Sequence, residues 1–190
     1  MAHSTVSDSE LLEKSTEVFR TYGFEGSSMS RLAAATGLEK ASLYHRFPGG
    51  KDEIARSVAA YVAECMQRYI FEPLKKDAPI EKRLRIVVEQ LRGFYDDGRK
   101  SCAFDALSLP GGSTELAEAL KTTLNAWLKV FTDIAIESGL PLREARLRAE
   151  EALARIEGSL VLSRVLEDNG SFRRALAALP AILTAKHHPA

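Results

Sequence analysis

Apolar residues recur at helical spacing along nearly the whole chain, and glycine or proline closes each run before the next begins. Leu11, Leu12, Ser15, Val18, Phe19 and Tyr22 mark one face of a first helix, which ends where Gly23 can adopt a positive φ. Ser27 and Ser28 are both suited to cap a second, short helix through Leu32, Ala33 and Ala35, closed by Gly37. A third spans residues 40 to 47 and halts at Pro48-Gly49-Gly50. No segment shows the strict alternation of a half-buried strand, so the expected fold is all-α.

The rest of the chain follows the same pattern. Lys51 starts a longer helix carrying Ile54, Val58, Tyr61, Val62, Cys65 and Tyr69 as far as about Pro73. Pro79 suits the first turn of a fifth, with Leu84, Val87, Val88, Leu91, Phe94 and Tyr95 as its apolar positions and Gly98 as its close. CAFDALSL reads as a short apolar helix stopped by Pro110-Gly111-Gly112. Ser113 caps a seventh running to Gly139, Pro141 opens an eighth reaching about Asp168, and a last one runs from Ser171 through Leu176, Leu179, Ile182 and Leu183. Pro180 is expected to kink or interrupt it. About nine helices result.

The eighth helix changes character along its length. LREARLRAEEALARIE is charged and amphipathic, whereas GSLVLSRVL, from Gly158 to Leu166, is apolar on most of its circumference and needs neighbours on most sides. The last helix supplies one and a second copy of the chain the rest. That places Gly158, Leu162, Val165, Leu166, Leu176, Leu179 and Leu183 at a homodimer contact, with Ala177 and Ala178 small enough for close approach.

Charge decides where a polyanion can bind. With 26 basic and 26 acidic residues the chain has no net charge, so an argument for nucleic acid must be local. Between Ser27 and Lys51 the basic residues are Arg31, Lys40, Arg46 and Lys51, and the only acid is Glu39. On a wheel of about 100° per residue, Leu43 and Phe47 stack as an i, i+4 pair while Ala41 and His45 face the other way, flanked by Ser42 and Tyr44. The outward side carries small and hydrogen-bonding groups suited to a DNA major groove about 12 Å wide. Two helices joined by Gly37-Leu38-Glu39 have the form of a helix-turn-helix, whose second helix reads base edges. Lys51, with the backbone N–H groups of the helix it starts, suits a phosphate, as does the Tyr44 hydroxyl.

The segment GFEGSSMSRLAAATGLEKASLYHRFPGGKDEI, together with the helix before it, resembles the DNA-binding signature of the TetR family of transcriptional regulators over roughly residues 8 to 56. The resemblance implies an N-terminal three-helix DNA-binding domain, residues 1 to 50, followed by a helical ligand-binding and dimerisation domain, residues 51 to 190. It implies DNA contacts from Lys40, Ala41, Ser42, Tyr44 and His45, from Ser28, Ser30 and Arg31 on the preceding helix, and from Lys51 on a phosphate. Its functional counterpart is a regulator, of repressor type, that binds double-stranded palindromic operator DNA as a homodimer and is released by a small-molecule effector. Glu39 stands where Ser is usual in that family. Gly49-Gly50 adds one residue before the Lys, which is similar to a branch associated with drug-responsive control of efflux genes. ALARIEGSLVLSRVLEDNGSFRRALAALPAIL resembles the last two helices of that branch, which form its dimer interface.

In the larger half, Met66, Tyr69, Phe94, Tyr95, Phe104, Trp127 and Phe131 are individually ordinary core residues, yet together they suit a pocket between helices. Asp105, inside an apolar stretch, is solvated, capping, paired or kept for a ligand, because burying it alone is costly. Cys102, three residues earlier, joins this candidate pocket lining; taken alone it reads as a packing residue, with redox sensing as a second role. Cys65 and Cys102 form no C-x-x-C pair and no histidine cluster has ligand spacing, so neither a metal nor a cofactor is expected. G-x-S-x-G, P-loop, H-E-x-x-H and dinucleotide motifs are absent, and the reading is not an enzyme. The first residues carry no apolar run like a signal peptide and no stretch suits a membrane span, so a cytoplasmic location without a membrane partner is expected. The competing reading is a helical small-molecule binding protein or enzyme whose N-terminal hairpin docks a protein partner.

Overall fold

The computed structural model describes residues 6–108 and 111–184; Pro110, part of the stop expected after the short apolar helix, lies outside them. The described residues form ten α-helices in order: α1 (Asp8–Gly26), α2 (Met29–Thr36), α3 (Lys40–Arg46), α4 (Gly50–Met66), α5 (Glu72–Lys75), α6 (Ile80–Phe94), α7 (Ala103–Ser108), α8 (Thr114–Glu137), α9 (Leu142–Leu166) and α10 (Gly170–Leu183). A π-helical turn, Gln67–Phe71, makes α4 and α5 one continuous run, and a 3-10 turn, Asp96–Gly98, follows α6. The described residues contain no strand. No described helix is long and apolar enough to cross a membrane.

The chain divides into two compact units, one of Met1–Glu64 with Cys102–Lys121 and one of Cys65–Ser101 with Thr122–Ala190. In the first, α1 packs on α2 and on α7. The three N-terminal helices have too few apolar residues to enclose a core, and α4, α7 and the start of α8 supply the remainder. Leu11, Phe19, Leu32, Leu43, Ile54 and Val58 are fully buried together with Ala103, Leu107 and Leu116. Each such large side chain contributes about 1.5–3 kcal/mol by leaving water. Phe19 and Phe24 stack at 6.3 Å, and between them Gly23, at φ 65, takes the chain out of the helix as expected.

The second unit is built on α9 against α10, with α6 on α10 and on α5. Tyr95 meets Phe172 edge to face at 5.8 Å, and Trp127 meets Phe131 at 5.9 Å. Arg83 is buried on α6, where its guanidinium donates to the Leu74 carbonyl at 2.6 Å and to the Glu137 carboxylate. A buried cation held from two sides is compatible with a packed interior, whereas an unpaired one is not.

Three local expectations differ from what is observed. The helix after Pro79 ends at Phe94, before Gly98, because Asp96 and Asp97 adopt left-handed conformations, which short acids tolerate better than most residues. Arg173 and Arg92 hold the Asp97 carboxylate there. Pro180 does not interrupt α10, which continues to Leu183. Proline so close to a helix end forgoes a single backbone bond, and the apolar face beyond it, Ile182 and Leu183, stays buried. Finally, Tyr69 is 40% exposed while Ile70 and Phe71 are buried, because the wide π turn keeps the inward face stepping by four through Val62, Met66, Ile70 and Leu74.

Candidate nucleic-acid interface

The Ser28 side chain caps α2, accepting the Arg31 backbone N–H at 3.2 Å. Gly37 ends the helix with φ 75 and ψ 14, returning its N–H to the Ala33 carbonyl. Only a residue content in that conformation turns the chain sharply enough for α3 to begin at Lys40. Leu43 is fully buried and Phe47 half-buried, so the i, i+4 pair seats α3 on the rest of the unit. Lys40, Ala41, Ser42, Tyr44 and His45 are all exposed, with Tyr44 at 50%. Ser28, Ser30 and Arg31 are exposed at the start of α2. Glu39 adopts an extended N-cap conformation but makes no capping bond.

The cations of this segment fall into two kinds. The Arg46 guanidinium donates to the Val6 carbonyl at 3.1 Å and to the Asp8 carboxylate at 3.3 Å, tying the end of α3 to the start of α1. Among the described residues no carboxylate pairs with Arg31, Lys40 or His45. The Arg31 guanidinium instead lies 4.0 Å from the centre of the Tyr22 ring. Lys51 is intermediate: its ammonium donates to the Phe24 carbonyl at 3.0 Å and sits 4.2 Å from the Phe24 ring centre. An ammonium has three N–H donors, so this leaves capacity for a phosphate. The start of α4 is less open than its sequence suggests, because the Glu53 carboxylate already accepts the Gly49 N–H at 2.7 Å and Asp52 that of Ser113 at 2.9 Å.

The residues expected to line a ligand pocket are divided between the two units. Met66, Tyr69, Phe94, Tyr95, Trp127 and Phe131 belong to the second, and Cys102, Phe104 and Asp105 to the first. Met66, Tyr95, Trp127 and Phe131 are fully or almost fully buried, Phe94 is half-buried, and Tyr69 is on the surface. Among the described residues the Trp127 indole N–H finds no acceptor. Cys102 and Phe104 are buried, whereas Asp105 is exposed, which is the solvated alternative for a carboxylate in an apolar stretch. The described residues hold no cluster of His, Cys, Asp and Glu able to bind a metal.

The proposed dimer residues separate along two helix faces. On α9, Leu162, Val165 and Leu166 are 49%, 69% and 63% exposed, and Gly158 opens onto free space. Leu176, Leu179 and Leu183 are buried inside the protomer, against the expectation that they meet a second copy. They form the face by which α10 packs on α9 and α6, so none is available to a partner. Val161, which apolar spacing alone does not single out, joins the exposed strip at 42%, and Ala177 is exposed on α10. An open groove of about 500 Å³ adjoins the strip at Leu162 and is otherwise lined by Ala154, Arg155, Gly158, Ser159, Ser171, Arg174 and Ala175.

A short capped helix, a left-handed glycine turn and a second helix anchored by one buried leucine and presenting a polar outer side define a helix-turn-helix DNA-binding module. Residues 11–58 match the family described as bacterial regulatory proteins, tetR family. Residues 80–178 match the transcriptional regulator LmrA/YxaF-like C-terminal domain. The chain belongs to the TetR family of DNA-binding transcriptional regulators, with a C-terminal domain of the LmrA/YxaF-like type. It is 21% identical over 181 residues to YxaF, an HTH-type transcriptional regulator of Bacillus subtilis, across 93% of this chain and 95% of that one. A TetR transcriptional regulator from Legionella pneumophila shares the fold at TM-score 0.81 and 15% identity, over 95% of this chain and 98% of that one. The regulator CifR, solved as a cysteine mutant complexed with 26-bp double-strand operator DNA, aligns at TM-score 0.71 and 22% identity, over 98% and 100% of the two chains.

Proposed function

We propose that the chain is a ligand-responsive repressor that binds a palindromic operator as a homodimer and leaves it when a small molecule occupies the C-terminal domain. The observation that carries the reading is α3: Leu43 is wholly buried while Lys40, Ala41, Ser42, Tyr44 and His45 point outward with no carboxylate pairing with Lys40 or His45 among the described residues. In this reading those five side chains enter the major groove. Ser28, Ser30 and Arg31 approach the backbone from the start of α2, and Lys51 takes a phosphate. Residues 1 to 50 are the DNA-binding domain and residues 51 to 190 the sensing and dimerising domain. The complex of CifR with operator DNA supports the assignment by shared fold.

One three-helix reader offers few phosphate contacts, and two related by symmetry double them. Val161, Leu162, Val165 and Leu166 supply the exposed apolar strip such a pair needs. A stable contact buries at least about 1,200 Å² in total. The effector acts through its different affinities for the DNA-binding and released states, a coupling of about 1–3 kcal/mol. In the sensing domain the unpaired Trp127 N–H favours an effector that carries a hydrogen-bond acceptor. The Pro48-Gly49-Gly50-Lys51 segment and the LmrA/YxaF-like domain favour the drug-responsive branch, and DNA as target favours a cytoplasmic location.

Selection from a pool of random duplexes tests the reading. A dimeric repressor enriches a palindrome whose half-sites lie about 34–36 Å apart or a multiple of that. A helical binding protein with a partner-docking hairpin enriches nothing.

A further inference from the structure

We infer that Tyr22 is a positioning residue of the DNA interface, whose ring holds the Arg31 guanidinium ready for a backbone phosphate. The inference rests on the DNA-binding reading above and adds a residue that makes no base contact in it. Tyr22 ends the regular part of α1, and Gly23, at φ 65, breaks the helix immediately after it. Arg31 sits in the first turn of α2, its backbone N–H fixed by the Ser28 cap. The break brings the two together, with the guanidinium carbon 4.0 Å from the ring centre. Tyr22 is 46% exposed, so its ring is not there to fill the core.

The way Arg31 is held matters for what it can do. A guanidinium held over a ring by a cation–π contact spends none of its N–H donors on a carboxylate and keeps them for an anion. Arg46 shows the contrast, because its donors are engaged by Asp8 and the Val6 carbonyl. The neighbouring Phe24 repeats the device with Lys51, whose ammonium lies 4.2 Å from the ring centre. The turn Tyr22-Gly23-Phe24 thus sets two aromatic faces under two cations, without placing a competing carboxylate beside Arg31. An arginine loses considerable side-chain freedom when it docks on a phosphate, and a ring that restricts it beforehand reduces that loss. The first helix of a helix-turn-helix crosses the backbone, which makes phosphate the partner for a residue in its opening turn.

The experiment measures binding of a fluorescein-labelled duplex, enriched by the wild-type chain from a random pool, as a function of salt. Arg31→Ala is expected to lower the salt slope by about two units, one for each protomer of the bound dimer. Tyr22→Leu keeps apolar bulk without a π face and is expected to weaken binding about five- to thirty-fold, the size of two exposed cation–π contacts, one per protomer of the bound dimer. Tyr22→Phe should restore wild-type affinity, and Tyr22→Leu should have no further effect in the Arg31→Ala background. Thermal melting controls for folding, which a ring this exposed should not alter. Wild-type affinity for Tyr22→Leu, or an equal loss with and without Arg31, overturns the positioning role while leaving DNA binding intact. A wild-type chain that enriches no duplex overturns the DNA-binding reading, and this inference with it.

Discussion

The Asp52 carboxylate accepts the backbone N–H of Ser113 at 2.9 Å, while the Ser113 hydroxyl accepts the Leu116 N–H at 3.2 Å. The first turns of α4 and α8, 61 residues apart in sequence at this bond, are therefore fastened by one acid. Partial burial works against the charge on Asp52, but the Ser113 N–H and hydroxyl and the Arg56 guanidinium together outweigh it and lower its pKa below the ordinary aspartate value. A depressed carboxylate stabilises the fold above its unfolded pKa of about 3.9, and that contribution disappears as pH falls through the folded value. Asp52→Ala should therefore cost about 1 kcal/mol at neutral pH, the scale of a partly exposed charged hydrogen bond. Urea unfolding should show the gap between variant and wild type closing below about pH 3.9. A gap independent of pH would mean that the carboxylate's charge plays no part.

Glu39 precedes α3 in an extended N-cap conformation without capping it. Glu39→Ser is expected to add a cap of about 1 kcal/mol and to lose about 0.3–0.5 kcal/mol from the acid's interaction with the helix dipole, for a net gain of about 0.5 kcal/mol. The same change removes a negative charge beside the proposed phosphate contacts. DNA affinity should rise at low salt, with the gain shrinking as salt is added. Chemical denaturation and a salt series of binding isotherms check both halves.

Two leucines on adjacent helices should behave oppositely. Leu162→Glu alters an exposed position and should change protomer stability by no more than about 0.5 kcal/mol while sedimentation shows monomers with weak operator affinity. Leu179→Glu puts an unpaired carboxylate into the core and should unfold the second unit, at a cost of about 4 kcal/mol or more. A Leu162→Glu protein that remains dimeric would move the interface elsewhere.

The same two residues show where sequence reasoning stops. Apolar periodicity says that a helix face is covered but not by what, so Leu176, Leu179 and Leu183 read as partner contacts when α6 and α9 cover them. The helix-turn-helix was legible because its determinants are local: Gly37 for the turn, Ser28 for the cap and the Leu43/Phe47 spacing for the buried side. The π turn at Gln67–Phe71 leaves no comparable mark, so Tyr69 reads as one more apolar position of the helix that starts at Lys51. Arg83 was missed for another reason. A lone arginine on an amphipathic helix reads as solvated until its acceptors, Leu74 and Glu137, arrive from distant parts of the chain. Tyr22 likewise reads as one more apolar position until the fold sets Arg31 against its ring.

If the outer side of α3 reads base edges, Lys40 and His45 help choose the operator rather than merely strengthen binding. Random-duplex selection repeated with Lys40→Ala and with His45→Ala should enrich palindromes of unchanged half-site spacing whose preferred bases differ from the wild-type set, each altered position changing by about 1–3 kcal/mol of discrimination. Enrichment of the wild-type motif, base for base, by both variants would contradict a reading role for α3.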